Sequence, residues 1–334
     1  MRTIFLFVII IITSSTGSTQ EIKNTHFKED FKYFWKTIND YYSYWNKKQT
    51  DWNKVRDIHE PQIDTITGRR SFVLLLEKIF YELYDHHASL NTNTPESQRL
   101  VPSGTDIWAA FINNKPTITE VRHGFGAYMS GLTAEMEIIA FNDVPIQTAI
   151  QPFIGKALKE VDNEVKNYAL RVLLAGKHSE KRKITVRHQN KLLHFYPDEP
   201  VNLLKEHKYN GDIESNITNN IGYIRINNRL WDNKLIPLFD SVLQSVKNTK
   251  ALILDLRETP SGGNTTVARA ILGSFITKEG FFQKHEFSAE EKEFGIKRSW
   301  VEIASPRKFV YTKPLILLVN HWDRKCGRRY NYRL

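Results

Sequence analysis

Phe27, Phe31, Phe34, Ile38, Tyr41, Tyr42 and Trp45 recur at steps of three and four, which predicts one amphipathic helix with a heavy aromatic face. Such a stripe reads first as a core face rather than a ligand site. Trp52, Val55 and Ile58, then Phe72 to Leu83, continue the pattern as a small helical bundle, whose last helix runs into Asp85-His86-His87-Ala88-Ser89-Leu90. From about Gly104 to Tyr196 the period changes. Ile107 to Phe111 and Thr117 to Val121 read as strands around the turn cluster Asn113-Asn114-Lys115-Pro116, and another strand lies near Glu137 to Phe141. A basic, charged helix over Lys156 to Leu174 and a hairpin around Gln189-Asn190 complete this block. Beyond it come a strand at Ile221 to Ile226, a helix at Leu235 to Val246, a strand at Ala251 to Leu256, a helix at Thr265 to Ile276 and a buried strand at Pro314 to Asn320. That alternation predicts a layered α/β domain.

The 334 residues exceed what one hydrophobic core supports, so two or three domains are expected. Arg2, the apolar run Ile4 to Ile12 and the small polar stretch Thr13 to Thr19 have the three regions of a secretory signal peptide over 1–19. The apolar run falls short of the roughly 20 residues needed to cross a bilayer, and no cysteine follows it to take a lipid. An exported chain without a stable membrane anchor, periplasmic or secreted, is the expectation. Cys326 is the only cysteine, so stability rests on packing rather than an internal disulfide. The net charge of +10 changes the picture little: residues 323–334 hold five basic residues and one acid, and the remaining +6 is scattered. No basic stripe interleaved with aromatics occurs, so nucleic acid is not an expected partner.

One segment carries chemistry on its face. The strand Ala251 to Leu256 is followed by Arg257-Glu258-Thr259-Pro260-Ser261-Gly262-Gly263-Asn264, and then a helix begins. Adjacent glycines allow bare N–H groups to stand at a helix N-terminus, where they stabilise developing negative charge. A tight strand-to-helix turn is the competing reading of the same dipeptide. His87 taken by itself reads as a loop histidine capping a helix end. Neighbouring histidines are poor metal ligands on one helix face, and there is no His-Glu-x-x-His, no Gly-x-x-x-x-Gly-Lys phosphate loop and no Gly-x-Ser-x-Gly elbow that would make Ser261 a nucleophile. His285 and Glu286 read as solvated residues of a charged loop. No cofactor is implied.

Ala127 to Ile146, with a short turn at Ala127-Tyr128-Met129-Ser130-Gly131-Leu132 followed by a strand and Asn142-Asp143, resembles a PDZ domain. Taken with Asp85-His86-His87, Gly222-Tyr223, the Asp255-Leu256-Arg257 to Gly263 segment and Leu318-Val319-Asn320-His321-Trp322, the chain resembles the tail-specific (C-terminal processing) and tricorn-core serine peptidases. The resemblance implies a helical bundle at 20–100, a PDZ-like β-rich domain at 101–200 and an incomplete ββα catalytic domain of the Clp/crotonase type at 201–322. Within that family the strand matching Ile316 to Asn320 leads into Thr-x-Ser-x-x-Glu, whose serine is the nucleophile. Here no serine follows Ser305, and Asp323-Arg324-Lys325-Cys326-Gly327-Arg328 stands instead. Codons exist for this tail that, with one base dropped, read Thr-Gly-Ser-Val-Gly-Glu, so residues 323–334 are expected to be out of frame.

The resemblance also assigns roles. His87 matches the histidine of an Asp-x-His-Ser/Thr segment and becomes the general base, with His86 in the place of Gly or Ser and Ala88 in that of Ser or Thr. Gly262 and Gly263 become the oxyanion donors, with Thr259 where the family carries Asn, while Asp255 and Arg257 brace the loop. The implied activity is serine endopeptidase action on exported polypeptides, the PDZ-like module gating or delivering substrate, its carboxylate-binding loop not evident around His123 to Ala127. Without a serine nucleophile the chain as written is expected to be inactive. The alternatives are a non-catalytic periplasmic peptide-binding protein built on the PDZ-like module and, last, a crotonase-like acyl-CoA enzyme.

Overall fold

Helix α1 (Thr16–Tyr41) buries Phe31 and half-buries Phe27, Phe34, Trp35 and Ile38, while Tyr41 stays on the surface. The computed structural model describes residues 16–92, 94–199 and 208–323, so most of the expected signal segment lies outside the described residues. The predicted stripe overruns the helix. α1 ends at Tyr41, and Trp45 sits in a separate 3-10 turn, Trp45–Lys47, beside Trp52. Helix α2 (Trp52–His59) starts at Asp51, whose carboxylate accepts the N–H groups of Asn53 and Lys54. The indoles of Trp35 and Trp52 each donate to the other's backbone carbonyl, which ties α1 to α2. Helix α3 (Arg69–Ile79) adds Phe72, Leu75 and Ile79 to the same core and continues as a 3-10 turn to Leu83.

Six strands form the next body: β1 (Ile107–Ile112), β2 (Lys115–Val121), β3 (Glu137–Phe141), β4 (Val144–Pro145), β5 (Ile184–His188) and β6 (Lys191–Phe195). All pair antiparallel in the order β1-β2-β3-β5-β6, with β4 on β3. Asn113-Asn114, Asn142-Asp143 and Gln189-Asn190 all hold positive φ at both central residues, the two-residue hairpin geometry that matches strand twist. Short helices α4 (Gly126–Met129) and α5 (Ile146–Ala149) bracket β3 and β4. Helix α6 (Asn163–Ala175) covers the sheet, and eight of its 13 residues are buried.

That helix corrects the expected basic helix over Lys156 to Leu174. It begins only at Asn163, capped by Asp162. The preceding stretch is extended because its N–H groups are taken elsewhere: Lys156 and Ala157 donate to the buried Glu82 carboxylate, and Lys159 donates to Gln49 O. Glu82 also meets His59, so one carboxylate joins two bundle elements to this loop.

The remaining residues build a four-stranded sheet from β7 (Ile213–Thr218), β8 (Ile221–Ile226), β9 (Ala251–Asp255) and, later in the chain, β12 (Leu315–Leu318), in the order β12-β9-β8-β7. β8, β9 and β12 run parallel, and β7 is an antiparallel partner of β8. Helices α7 (Leu235–Ser245) and α8 (Thr265–Gly273) pack Phe239, Leu243, Val267 and Ile271 against Leu252, Leu254 and Leu256. Between α8 and β12 lies a separate hairpin of β10 (Gly280–Glu286) and β11 (Ser299–Ala304), with helix α9 (Ser288–Phe294) in its connection. His285 and Glu286, expected in a solvated loop, are strand residues. The His285 ring stacks on Trp300 at 4.7 Å and meets Glu302 at 3.1 Å.

Candidate active site

The C-terminal ends of β9 and β12 leave the parallel sheet side by side, the last rung being Leu256 N–H to Leu318 O at 2.9 Å. From β9 the chain enters the loop 256–264. Asp255 anchors it: its carboxylate accepts Arg257 N–H and Nε at 3.0 and 2.9 Å on one oxygen, and Arg257 Nη2 and the Tyr223 hydroxyl at 2.7 Å each on the other. Burial pushes this carboxyl up, but the bonds from Arg257 and Tyr223 outweigh it and hold Asp255 below the usual carboxylate range. Burial and the bond to Asp255 push the Tyr223 phenol up to about 12.

Thr259, in the place where Asn was expected, is fully buried and donates to Leu256 O, so it tightens the turn. Gly262 follows with φ +74°, a left-handed backbone that glycine adopts without cost. Its N–H donates to Thr259 O at 3.0 Å. On either side Ser261 N–H donates to Asn228 Oδ1 and Asn264 N–H to Leu230 O, whereas Gly263 N–H has no partner among the described residues. A Cβ on Gly263 would stand 2.6 Å from Leu230 Cβ and 2.8 Å from Leu230 O, so only glycine fits. Helix α8 starts directly afterwards, with the Asn264 side chain accepting Val267 N–H at 2.8 Å. The paired glycines thus divide the work: Gly262 makes the turn and Gly263 carries the open donor, at a helix N-terminus.

His87 lies on a strap that leaves the bundle through Tyr84, whose φ of 37° turns the chain. Asp85 Oδ1 accepts His87 N–H at 2.8 Å and stands 3.4 Å from Nδ1 of the ring, while its other oxygen accepts the Tyr42 hydroxyl. These bonds overcome the effect of burial and hold Asp85 far below its ordinary range. The His87 ring is about half exposed. His86 points the other way and stacks on Tyr168 at 4.6 Å. A small cavity of about 70 Å³ opens beside this strap, with Tyr81, His86, Leu90, Gln98, Leu100 and Tyr168 in its wall.

The structure links the strap to the end of β12 through aromatic rings. His86 is 6.3 Å from Trp108 on β1, and Trp108 stacks on His321 at 4.7 Å. Trp322 is fully buried against Val101, Trp108 and Ala175, and its indole donates to Thr105 O at 2.6 Å. No hydrogen bond, ion pair or ring contact joins His87 itself to Gly262 or Gly263 among the described residues. The expected nucleophile motif falls mainly on 324–334, outside the described residues. Sequence reasoning missed Trp108, Glu120 and Arg122 as members of this region and gave Glu258 and His321 no role within their segments, and the only local sign was two charges, Glu120 and Arg122, spaced by two at a strand end. No group of three or more His, Cys, Asp or Glu is gathered to hold a metal ion, and no helix is long and apolar enough to cross a membrane, among the described residues.

Two family models match: the tricorn protease C1 domain over 23–80 and peptidase family S41 over 220–327. No curated protein matches the sequence directly. Among solved structures, a CPAF mutant is 15% identical with a TM-score of 0.57, over 92% of this chain and 81% of its own. Mature CPAF is 13% identical with a TM-score of 0.54, over 93% and 81%. These two show a shared fold. The photosystem II D1 C-terminal processing protease aligns more loosely, at 12% identity and a TM-score of 0.46 over 94% of this chain and 78% of its own. Both family models, matched in chain order on a mixed α/β fold, support a tail-specific, S41-type serine peptidase.

Proposed function

We propose that this chain carries the base and oxyanion halves of a Ser-His endopeptidase acting on exported polypeptides, and that residues 323–334 replace its nucleophile motif by a shift of reading frame. The observation that carries the reading is Gly263: its N–H has no partner among the described residues, and it stands just before α8 on the loop that leaves β9, the parallel neighbour of the strand that delivers the nucleophile in the family. A donor placed in advance where an oxyanion forms lowers the barrier without reorganisation. His87 would take the serine proton through Nε2, and Asp85, near Nδ1, would set the ring's tautomer and orientation. The cavity beside the strap is suited to an apolar substrate side chain. We read the bundle as 20–100, the β-rich body as a PDZ-like module over 101–200 and the parallel sheet as a partial Clp/crotonase-type ββα domain over 201–322. The sheet order and the helix α6 against β1 support the middle assignment.

In this mechanism serine oxygen attacks the scissile carbonyl carbon while its proton passes to His87. The carbonyl oxygen becomes an oxyanion held by Gly263 N–H. His87 then returns the proton to the leaving amine, and water repeats the sequence on the acyl-enzyme.

The test compares the chain as written with a version whose shifted frame is followed through the gene. Casein hydrolysis and labelling by a fluorophosphonate are expected only in the second, with His87→Ala in that version losing about 10⁴- to 10⁶-fold in turnover. Hydrolysis by the chain as written, blocked by the same reagent, would overturn the missing nucleophile. Full activity of the His87→Ala version would overturn the Ser-His pair.

A further inference from the structure

A module that reads peptide tails needs an open sheet edge to which the peptide adds as a strand, and a turn of bare amides for its carboxylate. Here both are filled from within. β1 is the edge strand on the side of α6, yet Thr105 Oγ1 donates to Ile107 O at 3.0 Å, Arg171 Nε donates to Ala109 O at 3.1 Å, and Phe111 N–H donates to Asn167 Oδ1 at 2.7 Å. At the turn, Ala127 N–H donates to Asp106 Oδ2 at 2.8 Å, and Pro197 O closes over Gly126 so tightly that a Cβ there would lie 1.9 Å from it. Asp106 is in turn held by the buried Arg182. What the module presents outward is instead a pair of charges at the end of β2.

Those charges reach both arms of the site. Arg122, 2% exposed, makes a two-pronged contact with Glu258 in the glycine loop, Nε to Oε1 at 3.1 Å and Nη2 to Oε2 at 2.8 Å. Tyr209 adds its hydroxyl to the same carboxylate, and Phe125 stacks under the guanidinium at 3.8 Å. Glu120 accepts the His321 backbone N–H at 3.3 Å and pairs with the His321 ring Nδ1. The sheet ladder stops holding the two arms together after the Leu256 to Leu318 rung. Beyond that point no backbone hydrogen bond joins the two arms among the described residues.

We propose that Glu120 and Arg122 are positioning residues, a two-point clamp by which the middle module fixes the glycine loop and the segment after β12 relative to each other. This rests on the reading of those segments as the oxyanion and nucleophile arms. Glu120 holds the His321 arm, and Arg122 holds the Glu258 arm. Because the two side chains leave one short backbone stretch, both arms are tied to the same end of β2. At its β1 edge the module acts as a closed buttress and not as a strand acceptor.

Amide hydrogen exchange on the full chain, read by mass spectrometry, tests the clamp without requiring any reaction. Glu120→Ala is expected to speed exchange at 319–323 by about ten- to hundredfold, with 256–263 changed by less than about twofold; Arg122→Met should do the reverse. Glu120→Gln keeps an acceptor and should restore most of the protection. The β3 amides report global stability, and if Arg122→Met fails to fold, Glu258→Gln probes the same contact. Equal acceleration in both arms and β3, or no change in either arm, overturns the proposal. Arm-selective exchange alongside an inactive repaired enzyme would sink the peptidase reading and leave the clamp standing. Active repaired enzyme with unselective exchange would do the opposite.

Discussion

Two edge strands of this molecule, β1 and β12, are treated in opposite ways. Along β1 three side chains from the same module, those of Thr105, Arg171 and Asn167, occupy backbone groups that a neighbouring strand would use. Along β12 the only partner strand among the described residues is β9, and Ile316 stands 55% exposed on it. An edge satisfied by side chains is inert, whereas an apolar edge with open backbone groups invites another strand. The β-rich module therefore finishes its β1 edge itself, while the parallel sheet is tied to that module through Glu120, Arg122 and the Trp322 indole on Thr105 O.

The sharpest way to break the contrast is to open the finished module. Arg182 is buried between Asp106 and Asp198, at 2.7 and 2.8 Å, and its removal strands two carboxylates. Arg182→Met is expected to cost about 3–5 kcal/mol in urea unfolding. A cost under about 1 kcal/mol would mean that the network is not what closes the module.

Acid should come next and should strike both regions. Burial pushes Asp198 up, but the hydrogen bonds and charge of Arg182 outweigh it, and the net shift is downward; Asp255 is likewise lowered by Arg257 and Tyr223 against burial. A carboxyl lowered on folding contributes stability that is complete above its unfolded value, about 3.9, and is lost as pH falls through the lower folded value. Thermal midpoints should thus hold down to about pH 5 and drop steeply below about pH 4. Asp198→Asn should flatten that acid limb, and an unchanged limb would contradict the assignment.

Smaller effects address the edges themselves. Asn167→Ala removes one cap from β1 and should cost about 1 kcal/mol while speeding exchange of the Phe111 amide; an unaltered amide would show the cap to be incidental. Ile316→Lys should leave stability within about 0.5 kcal/mol, because the side chain is already half in water, yet reduce light scattering at high protein concentration. Unaltered scattering would place the sticky surface elsewhere, for instance on the exposed Phe294, Ile296 and Trp300.

Where the chain is locally periodic, its elements were readable to within a few residues: Ile221–Ile226 is the predicted strand, and α7, α8 and β9 start where expected. The hairpins were announced by Asn-Asn, Asn-Asp and Gln-Asn pairs, whose short polar side chains tolerate positive φ. The Lys156 helix was overextended because nothing near it in sequence announces that Glu82 takes the Lys156 and Ala157 amides. β10 and β11 were missed because their apolar residues are largely exposed, Phe281, Trp300, Val301 and Ile303 among them, and so do not alternate cleanly.

At the candidate site, the Gly-Gly turn and the Asp255-Arg257 brace follow from sequence because they are made within ten residues, where steric demand and short-range hydrogen bonds leave few solutions. The separate duties of Gly262 and Gly263 do not, since they depend on Leu230 and Asn228 arriving from another loop. Nor do the charge pairs of the clamp: Arg122 meets Glu258 136 positions away, and Glu120 meets His321 201 away. Periodicity records which face of an element is buried, and that much the residues decided alone. Which buried charge answers which is settled only when separate bodies pack, because an ion pair that has left water is stable solely beside the partner that the tertiary structure delivers.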